Sequence, residues 1–278
     1  MVESLQNPVF PRSNRYDPAW VLANNMGPNP LWLTEWLTEY VKLTPGMRVL
    51  DLGCGKALSS VFLAREFDVH VVAADLWTSV DDNWQRIVSA GEERRVVPVH
   101  AEAHALPFAA GYFDAVICVD AYPYFGTDIL YLHYLSRFVR PGGQIGVAMP
   151  GLTRELPPDG VPDHLRQPQK SGKVFWESEC VSFKTAAWWR EHFHACDRVA
   201  VNVADTLPDG WRHWRNYELA AERSGAAPFP SDAEALEADE GRYIGFVRVI
   251  ATRNDVGGEN LYDPDLVWKV EHDISSLK

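Results

Sequence analysis

An acid and two glycines follow a short apolar run in the segment VLDLGCG at residues 49–55. Apolar residues at helical spacing come next, which predicts a strand, a tight turn and a helix. Glycine lets the backbone approach a ligand closely, and open α/β sheets bind ligands at the carboxyl ends of their strands. The residues predicted to line a site for a nucleotide-type cofactor are Asp51, Gly53, Cys54 and Gly55.

Two further acids follow the next predicted strands. Asp75 ends an apolar β-branched run, and Glu102 follows the run at residues 96–100. The carboxyl ends of parallel strands meet at one edge of a sheet, so these acids should face the same site. Their neighbours Leu76 and Ala103 are assigned to that site as well.

A dinucleotide-binding fingerprint is the competing interpretation of the glycine turn. That fingerprint, G-x-G-x-x-G, requires glycine at position 58 and does not require an acid just before the first glycine. This chain has Leu58 and Asp51 at those places. A nicotinamide enzyme is therefore the weaker hypothesis.

Five segments, taken in order, resemble the class I S-adenosylmethionine (SAM)-dependent methyltransferases. They are acid-x-Gly-x-Gly at 51–55, Asp75, AEAHALPF at 101–108, FDAV at 113–116 and RFVRPGG at 137–143. Ala57 stands where that family often has a third glycine, and Glu102 stands where it usually has aspartate. The resemblance covers residues 31–149 well and the last strands weakly. Within the family it is nearest to the methyltransferase-11, quinone-biosynthesis-like and cyclopropane-fatty-acid-synthase-like subgroups.

The resemblance implies a cofactor and a role for several residues. SAM is the expected cofactor, and S-adenosylhomocysteine (SAH) the product. Asp75 would accept hydrogen bonds from the ribose hydroxyls, Glu102 would accept from the adenine amino group, and the Ala103 N–H would meet a ring nitrogen. In this family the N-terminal segment closes over the cofactor, which adds Tyr16 to the predicted cofactor residues.

The acceptor is expected beyond the fourth strand, where the loop at residues 119–126 reads VDAYPYFG. Asp120 is assigned to the cofactor site and could contact the acceptor. Tyr122 is a catalytic candidate and Tyr124 a substrate contact, because aromatic rings can face a sulfonium. A packed aromatic loop without such a role is an equally open interpretation.

Two histidines lie near the expected cleft. His133 is the second catalytic candidate, because histidine is the readiest general base near neutral pH, and His104 lies beside Glu102. An ordinary, partly buried histidine is the alternative for both. His192 and Cys196 have helical i, i+4 spacing but lack a clear third ligand, so no metal is predicted.

Tryptophan is unevenly distributed. Of 11 tryptophans, only Trp77 and Trp84 fall between residues 47 and 150. Aromatic-rich lids suit an apolar or flat acceptor and exclude water, which makes Trp188 and Trp211 predicted substrate contacts. The competing interpretation is that such tryptophans only dock helices on the sheet.

Alternating apolar runs and helical segments predict an α/β, Rossmann-like fold with helices on both faces of a sheet. The sheet should have seven mostly parallel strands. The expected parts are N-terminal lid helices at 1–45, a SAM-binding core at 46–150, remaining strands with substrate-cap insertions at 151–253, and a C-terminal tail at 254–278. The tail is expected to pack through Leu261, Tyr262, Val267 and Trp268.

Composition narrows the partners. The net charge of −12 and the pI near 5.2 disfavour nucleic acid and anionic membranes. The absence of a long apolar run disfavours a membrane span, and four scattered cysteines without a C-x-x-C pair favour a reducing cytoplasm. A homodimer is possible.

The sequence therefore predicts an enzyme that transfers a methyl group from SAM to a small-molecule acceptor by in-line displacement. A non-catalytic SAM-binding regulator or partner subunit is the alternative from another functional class, and an oxidoreductase is the third hypothesis.

Overall fold

A computed structural model describes residues 5–227 and 229–255 of the chain. Its sheet has seven strands in the order β3-β2-β1-β4-β5-β7-β6. The strands are β1 (Arg48–Leu52), β2 (His70–Asp75), β3 (Val96–His100), β4 (Phe113–Val119), β5 (Val139–Leu152), β6 (Val199–Thr206) and β7 (Ile244–Arg253). Neighbouring strands among β1 to β5 pair in parallel, whereas β7 is antiparallel to both β5 and β6. The predicted fold class is confirmed.

Helices connect these strands. They are α1 (Pro18–Ala23), α2 (Pro30–Leu37), α3 (Leu58–Phe67), α4 (Val80–Ser89), α5 (Tyr131–Ser136), α6 (Asp163–Arg166), α7 (Ala186–His194), α8 (Gly210–Ser224) and α9 (Ala233–Asp239). Several begin at a polar cap of the expected kind. The Asn29 side chain accepts from backbone N–H groups at the start of α2, and Ser79 does so for α4.

Apolar side chains cover both faces of the sheet. In β1, Val49 belongs to one buried cluster and Leu50 to the other, as the two-residue strand period requires. The first cluster includes Leu37 of α2 and Phe62 of α3, and the second includes Trp189 of α7. Helices therefore shield a largely parallel sheet from water on both sides.

The start of β5 is irregular. The strand begins at Val139, so Pro141, Gly142 and Gly143 lie inside it. The register against β4 shifts between Phe113 and Ala115, and Gly142 has φ +76°. The glycines thus form an irregularity inside the strand, which a residue without Cβ accommodates.

Two groups of helices are called caps. The N-terminal cap contains α1 and α2 and precedes β1, and the second cap contains α6, α8 and α9, which follow β5. Across the described residues, no helix is both long and apolar enough to cross a membrane. The predicted contacts of Leu261, Tyr262, Val267 and Trp268 lie outside the described residues.

Candidate functional site

A cleft of about 280 Å³ opens at the carboxyl ends of the parallel strands. It lies where β1 and β4 are neighbours and the chain order reverses, which is the usual ligand position in open α/β sheets. Its lining includes Met26, Gly27, Gly53, Cys54, Gly55, Lys56, Asp75, Leu76, Trp77, Glu102, Ala103, His104, Asp120, Tyr124 and Phe125. Its volume is close to the lower end of the range for small-molecule sites, about 300–1,000 Å³.

The glycine turn is held against two neighbouring strands. Gly53 and Cys54 donate backbone N–H groups to the Ala74 carbonyl of β2 at 2.8 and 3.1 Å. Gly53 has φ +73°, and a Cβ there would lie 2.3 Å from the Cβ of Ala121, just after β4. Only glycine therefore lets the turn and the β4 loop approach each other this closely.

Asp51 lies beneath this turn rather than along the cleft. Its Oδ2 accepts hydrogen bonds from the Ser59 and Ser60 hydroxyls at 2.6 and 2.5 Å, and its buried Oδ1 has no partner among the described residues. Burial raises the pKa of Asp51 to about 6, against the effect of both hydroxyls, and the charge of Asp75 adds to the rise. Asp51 therefore anchors the start of α3 and, contrary to the prediction, does not line the cleft.

Asp75 organises the loop after β2. Its Oδ2 accepts from Gly55 N at 2.8 Å, and its Oδ1 accepts from Trp77 N and Thr78 N, both at 2.8 Å. The side chain is buried but lines the cleft. A carboxylate has about four acceptor positions, so Asp75 can still accept bonds from a ligand.

Glu102 pairs with His104. Glu102 Oε1 lies 2.7 Å from His104 Nδ1, and its Oε2 accepts from His104 N at 2.9 Å. These hydrogen bonds hold the pKa of Glu102 below its usual value despite some burial. The His104 ring is edge-on to Tyr131 at 5.1 Å and lines the cleft. Sequence reasoning placed His104 near the cleft, and the structure shows that it positions Glu102.

Asp120 adopts an unusual conformation at the end of β4. Its φ is +59°, the left-handed region that non-glycine residues seldom occupy. Its N–H donates to the Ala148 carbonyl of β5 at 2.8 Å, and its side chain lines the cleft. Burial raises the pKa of Asp120 to about 7, and the charge of Glu218 on α8 adds to the rise.

The other predicted cofactor residues are Gly53, Cys54, Gly55, Leu76 and Ala103, and the structure brings them all to the cleft. Tyr16 is the exception. It is buried against α3, where its ring stacks on Phe62 at 5.7 Å and its hydroxyl donates to Glu66 Oε1 at 3.2 Å. We therefore correct the prediction for Tyr16: its aromatic ring packs against α3 and does not line the cleft. Met26 and Gly27 of the same N-terminal cap do line the cleft.

The two catalytic candidates are also away from the cleft. Tyr122 is fully buried behind it, with its ring 5.6 Å from that of Trp189, and its hydroxyl has no partner among the described residues. His133 instead groups with Cys196 and Asp197, whose potential metal-ligating atoms lie within 4.8 Å of one another and of His133. Burial raises the pKa of the Cys196 thiol, which disfavours the thiolate a metal would need. Neither catalytic candidate can touch a ligand in the cleft in this arrangement.

Among the predicted substrate contacts, Tyr124 reaches the cleft. It is 60% exposed and meets Trp77, which is 72% exposed, edge-to-face at 5.5 Å. Trp188 lies elsewhere, stacked on His192 at 4.6 Å, and Trp211 packs beside Gly241. Neither tryptophan lines the cleft, so the structure does not bring these two predicted substrate contacts to it.

The cleft residues that the sequence analysis did not assign include Lys56, Trp77 and Phe125. Lys56 directly follows Gly55 and Trp77 directly follows Leu76, so their position next to a predicted cofactor residue is the sequence signal that could have found them. Lys56 Nζ donates to the Asn25 carbonyl at 3.2 Å, and burial followed by the nearby charge of Arg86 lowers its pKa. This contact ties the glycine turn to the N-terminal cap.

Comparisons with known proteins agree with this geometry. A family model described as a methyltransferase domain matches residues 49–143. The methyltransferase GfsG of Streptomyces halstedii is 30% identical over 117 residues, 42% of each chain. A demethylmenaquinone methyltransferase of Mycobacterium sp. (strain KMS) is 33% identical over 135 residues, 49% of this chain and 54% of that protein. This chain thus spans about half the length of these curated relatives.

Solved structures share the fold over more of the chain. The (4+2)-cyclase SpnF has a TM-score of 0.61 at 19% identity and covers 84% of both chains. Phosphoethanolamine N-methyltransferase 2 of Haemonchus contortus has a TM-score of 0.63 at 16% identity, over 90% of this chain and 61% of that chain. The matched segment spans the glycine turn and the strand ends around the cleft, so residues 49–143 are similar to a methyltransferase domain, in agreement with the resemblance that the motifs predict.

Proposed function

We propose that this protein transfers a methyl group from SAM to a small-molecule acceptor. The observation that carries the proposal is the cleft between β1 and β4, where Asp75 and Glu102 flank the glycine turn at three adjoining strand ends. The matching methyltransferase domain spans the same residues.

The residues present fit SAM. Asp75 keeps about one acceptor position for a ribose hydroxyl, and Glu102 is held in an ionised form by His104, which suits an amino-group donor. Asp51, whose buried Oδ1 has no partner among the described residues, comes just before the turn that would meet the aminoacyl group. These acids complement a cofactor that carries a sulfonium and an ammonium.

Bound SAM supplies an electrophilic methyl group. In-line transfer depends mainly on positioning, and the chain supplies that through the glycine turn on one side and Met26 and Gly27 on the other. The N-terminal cap also excludes water from the reacting groups. Tyr124 and Phe125 border the side of the cleft next to β4, where the acceptor would enter.

The acceptor is a small molecule with an apolar or flat part. Support comes from the aromatic edge made by Trp77 and Tyr124, which is largely exposed at the mouth of the cleft. Support also comes from relatives and neighbours whose names specify small molecules, among them demethylmenaquinone and geranyl diphosphate methyltransferases.

Calorimetry with SAM, SAH and NADH tests the cofactor. We expect SAM and SAH to bind and NADH not to bind. Asp75→Asn should weaken both SAM and SAH by about 10-fold or more through the loss of a charged acceptor, worth ~1.5–3 kcal/mol. Asp81→Asn is the matched control, because Asp81 is an exposed acid of α4 outside the cleft. Binding of NADH without SAM would overturn the proposal.

Release of SAH then tests the activity. The purified protein, incubated with labelled SAM and a panel of naphthoquinols, phenols and prenyl diphosphates, should form SAH together with a methylated product. Tight SAM binding with no turnover on any member of the panel would instead favour a non-catalytic SAM-binding regulator.

A further inference from the structure

Of the carboxylates that line the cleft, Asp120 is the one that accepts no hydrogen bond from the described residues. Among the described residues, no side chain or backbone N–H donates a hydrogen bond to either of its oxygens, whereas Asp51, Asp75 and Glu102 each accept two or more. A carboxylate facing a cleft without a donor or cation is free to interact with the charge of a ligand.

The backbone holds this carboxylate in a strained position. Asp120 has φ +59°, and its N–H is fixed to the Ala148 carbonyl. Its Oδ2 lies against Gly27 of the N-terminal cap, where an added Cβ would be 2.6 Å away. Strained residues at a cleft persist because the surrounding structure fixes them, and they concentrate at functional sites.

The neighbours of Asp120 fix which side of the cleft its carboxylate occupies. The next residue, Ala121, touches Gly53 so closely that only glycine fits, so Asp120 lies between that turn and the N-terminal cap. Glu102 and Asp75 belong to the other side of the cleft, at the ends of β3 and β2. Asp120 therefore faces the part of the ligand that lies beyond the ribose.

Resting on the proposed function, we propose that Asp120 is the counter-charge to the sulfonium of SAM and makes the cleft prefer SAM over SAH. The two molecules share the adenosine, the carboxylate and the ammonium. They differ by the methyl group and its positive charge, so a carboxylate beside the sulfonium stabilises SAM selectively. After transfer the charge is gone, and the product loses this attraction.

The preference should depend on pH. The pKa of Asp120 is raised to about 7 by burial and by the charge of Glu218, so the carboxylate is ionised above that pH and neutral below it. Neighbouring Cys118 and Tyr124 also have pKa values raised by burial, which keeps them neutral through this range, and Glu102 stays ionised because its pKa is lowered. Selectivity for SAM is therefore present above about pH 7 and is lost as the pH falls through that value.

The test compares the dissociation constants of SAM and SAH by calorimetry between about pH 5.5 and 8.5. In the unmodified protein, we expect the ratio of SAH to SAM constants to rise about 10-fold across this range, equivalent to ~1.4 kcal/mol. In Asp120→Asn the ratio should be low and independent of pH, with SAH binding nearly unchanged. Asparagine tolerates the left-handed conformation, and Asp120→Gly removes the carboxylate while keeping that backbone, so the two variants should agree.

Glu218→Gln provides a second, independent measurement. Removing its charge lowers the pKa of Asp120, so the midpoint of the ratio should move to lower pH. Asp81→Asn, which removes an exposed acid outside the cleft, should leave the midpoint and the ratio unchanged.

Equal weakening of SAM and SAH in Asp120→Asn would overturn the inference, because Asp120 would then contact a group common to both. An unchanged ratio would overturn it as well. Failure of the unmodified protein to bind either molecule would remove the proposed function, and this inference with it.

Discussion

The residues around the cleft and those of the two caps are positioned in different ways. The cleft residues follow strand ends and tight turns, so a few residues of local sequence place them: Gly53, Asp75 and Glu102 all lie where their motifs predict. The cap residues are positioned by contacts between segments far apart in the chain. Trp36 and Tyr40, for example, enclose the guanidinium of Arg248, more than 200 positions away, at 4.4 and 4.5 Å. Local motifs therefore report on the cofactor side, and tertiary packing decides the caps.

Arg248→Ala should have the largest effect, and it tests whether the N-terminal cap depends on one long-range contact. Arg248 is buried in β7, bonds both oxygens of Asp205 at 2.8 and 2.9 Å, and donates to Glu39 and to the Trp36 carbonyl. Asp205 and Glu39 are about half exposed, so the cost comes from the hydrogen bonds and the two ring contacts of the buried guanidinium, about 3–4 kcal/mol together. We expect that loss in the free energy of unfolding, measured with urea.

The control is Arg212→Ala, since Arg212 is exposed and its contacts are local: a pair with Asp209 at 3.3 Å and the ring of neighbouring Trp211 at 5.1 Å. It should change stability by less than about 0.5 kcal/mol. Equal effects of the two substitutions would break the contrast between long-range and local contacts.

Gly53→Ala tests the locally determined cleft. The new Cβ would lie 2.3 Å from Ala121 Cβ at a residue with φ +73°. Conformational strain and overpacking together should destabilise the protein by about 3 kcal/mol and abolish measurable SAM binding.

Gly46→Ala separates the two causes. Gly46 has φ +81°, but a Cβ there would meet nothing within 4 Å. We expect a loss of about 1–2 kcal/mol with SAM affinity unchanged. Comparable loss of SAM binding in both variants would show that general instability, rather than the turn, is responsible.

The sequence alone predicts the acids at the strand ends better than it predicts the directions of aromatic side chains. The sheet, its helices and the acids at the strand ends could be predicted because two-residue and helical periods and the glycine turn are properties of local sequence. Tyr122 and Trp188 could not, because an aromatic residue next to a cleft can point either into it or into the core. The hydroxyl of Tyr122 is buried in the core with no partner in the described part of the chain, and nothing in its neighbours along the chain specifies that direction.

Tyr122→Phe tests this point, and it should stabilise the protein, whereas the preceding substitutions destabilise it. Tyr122 is fully buried and its hydroxyl is unpartnered among the described residues, while burial keeps its pKa well above the usual value. Deleting an unsatisfied polar group should raise the free energy of unfolding by about 1 kcal/mol. Methyl transfer should persist, measured as SAH formation. A large loss of turnover with intact SAM binding would restore Tyr122 as a catalytic candidate.

Tyr16→Phe should have the smallest effect, because Tyr16 lies outside the cleft, whereas Tyr124 lines it. The Tyr16 hydroxyl donates to Glu66 at 3.2 Å on the outer side of α3, away from the cleft. Its loss should cost about 0.5–1 kcal/mol of stability and leave the SAM dissociation constant within about twofold.

Tyr124→Ala is the substitution to compare with Tyr16→Phe, because Tyr124→Phe would keep the ring at the mouth of the cleft. Removing its exposed ring from the Trp77 contact should weaken SAM binding several-fold without lowering stability. If Tyr16→Phe weakened SAM binding more than Tyr124→Ala did, the N-terminal cap would transmit its packing to the cofactor, and the separation between cleft and cap would fail.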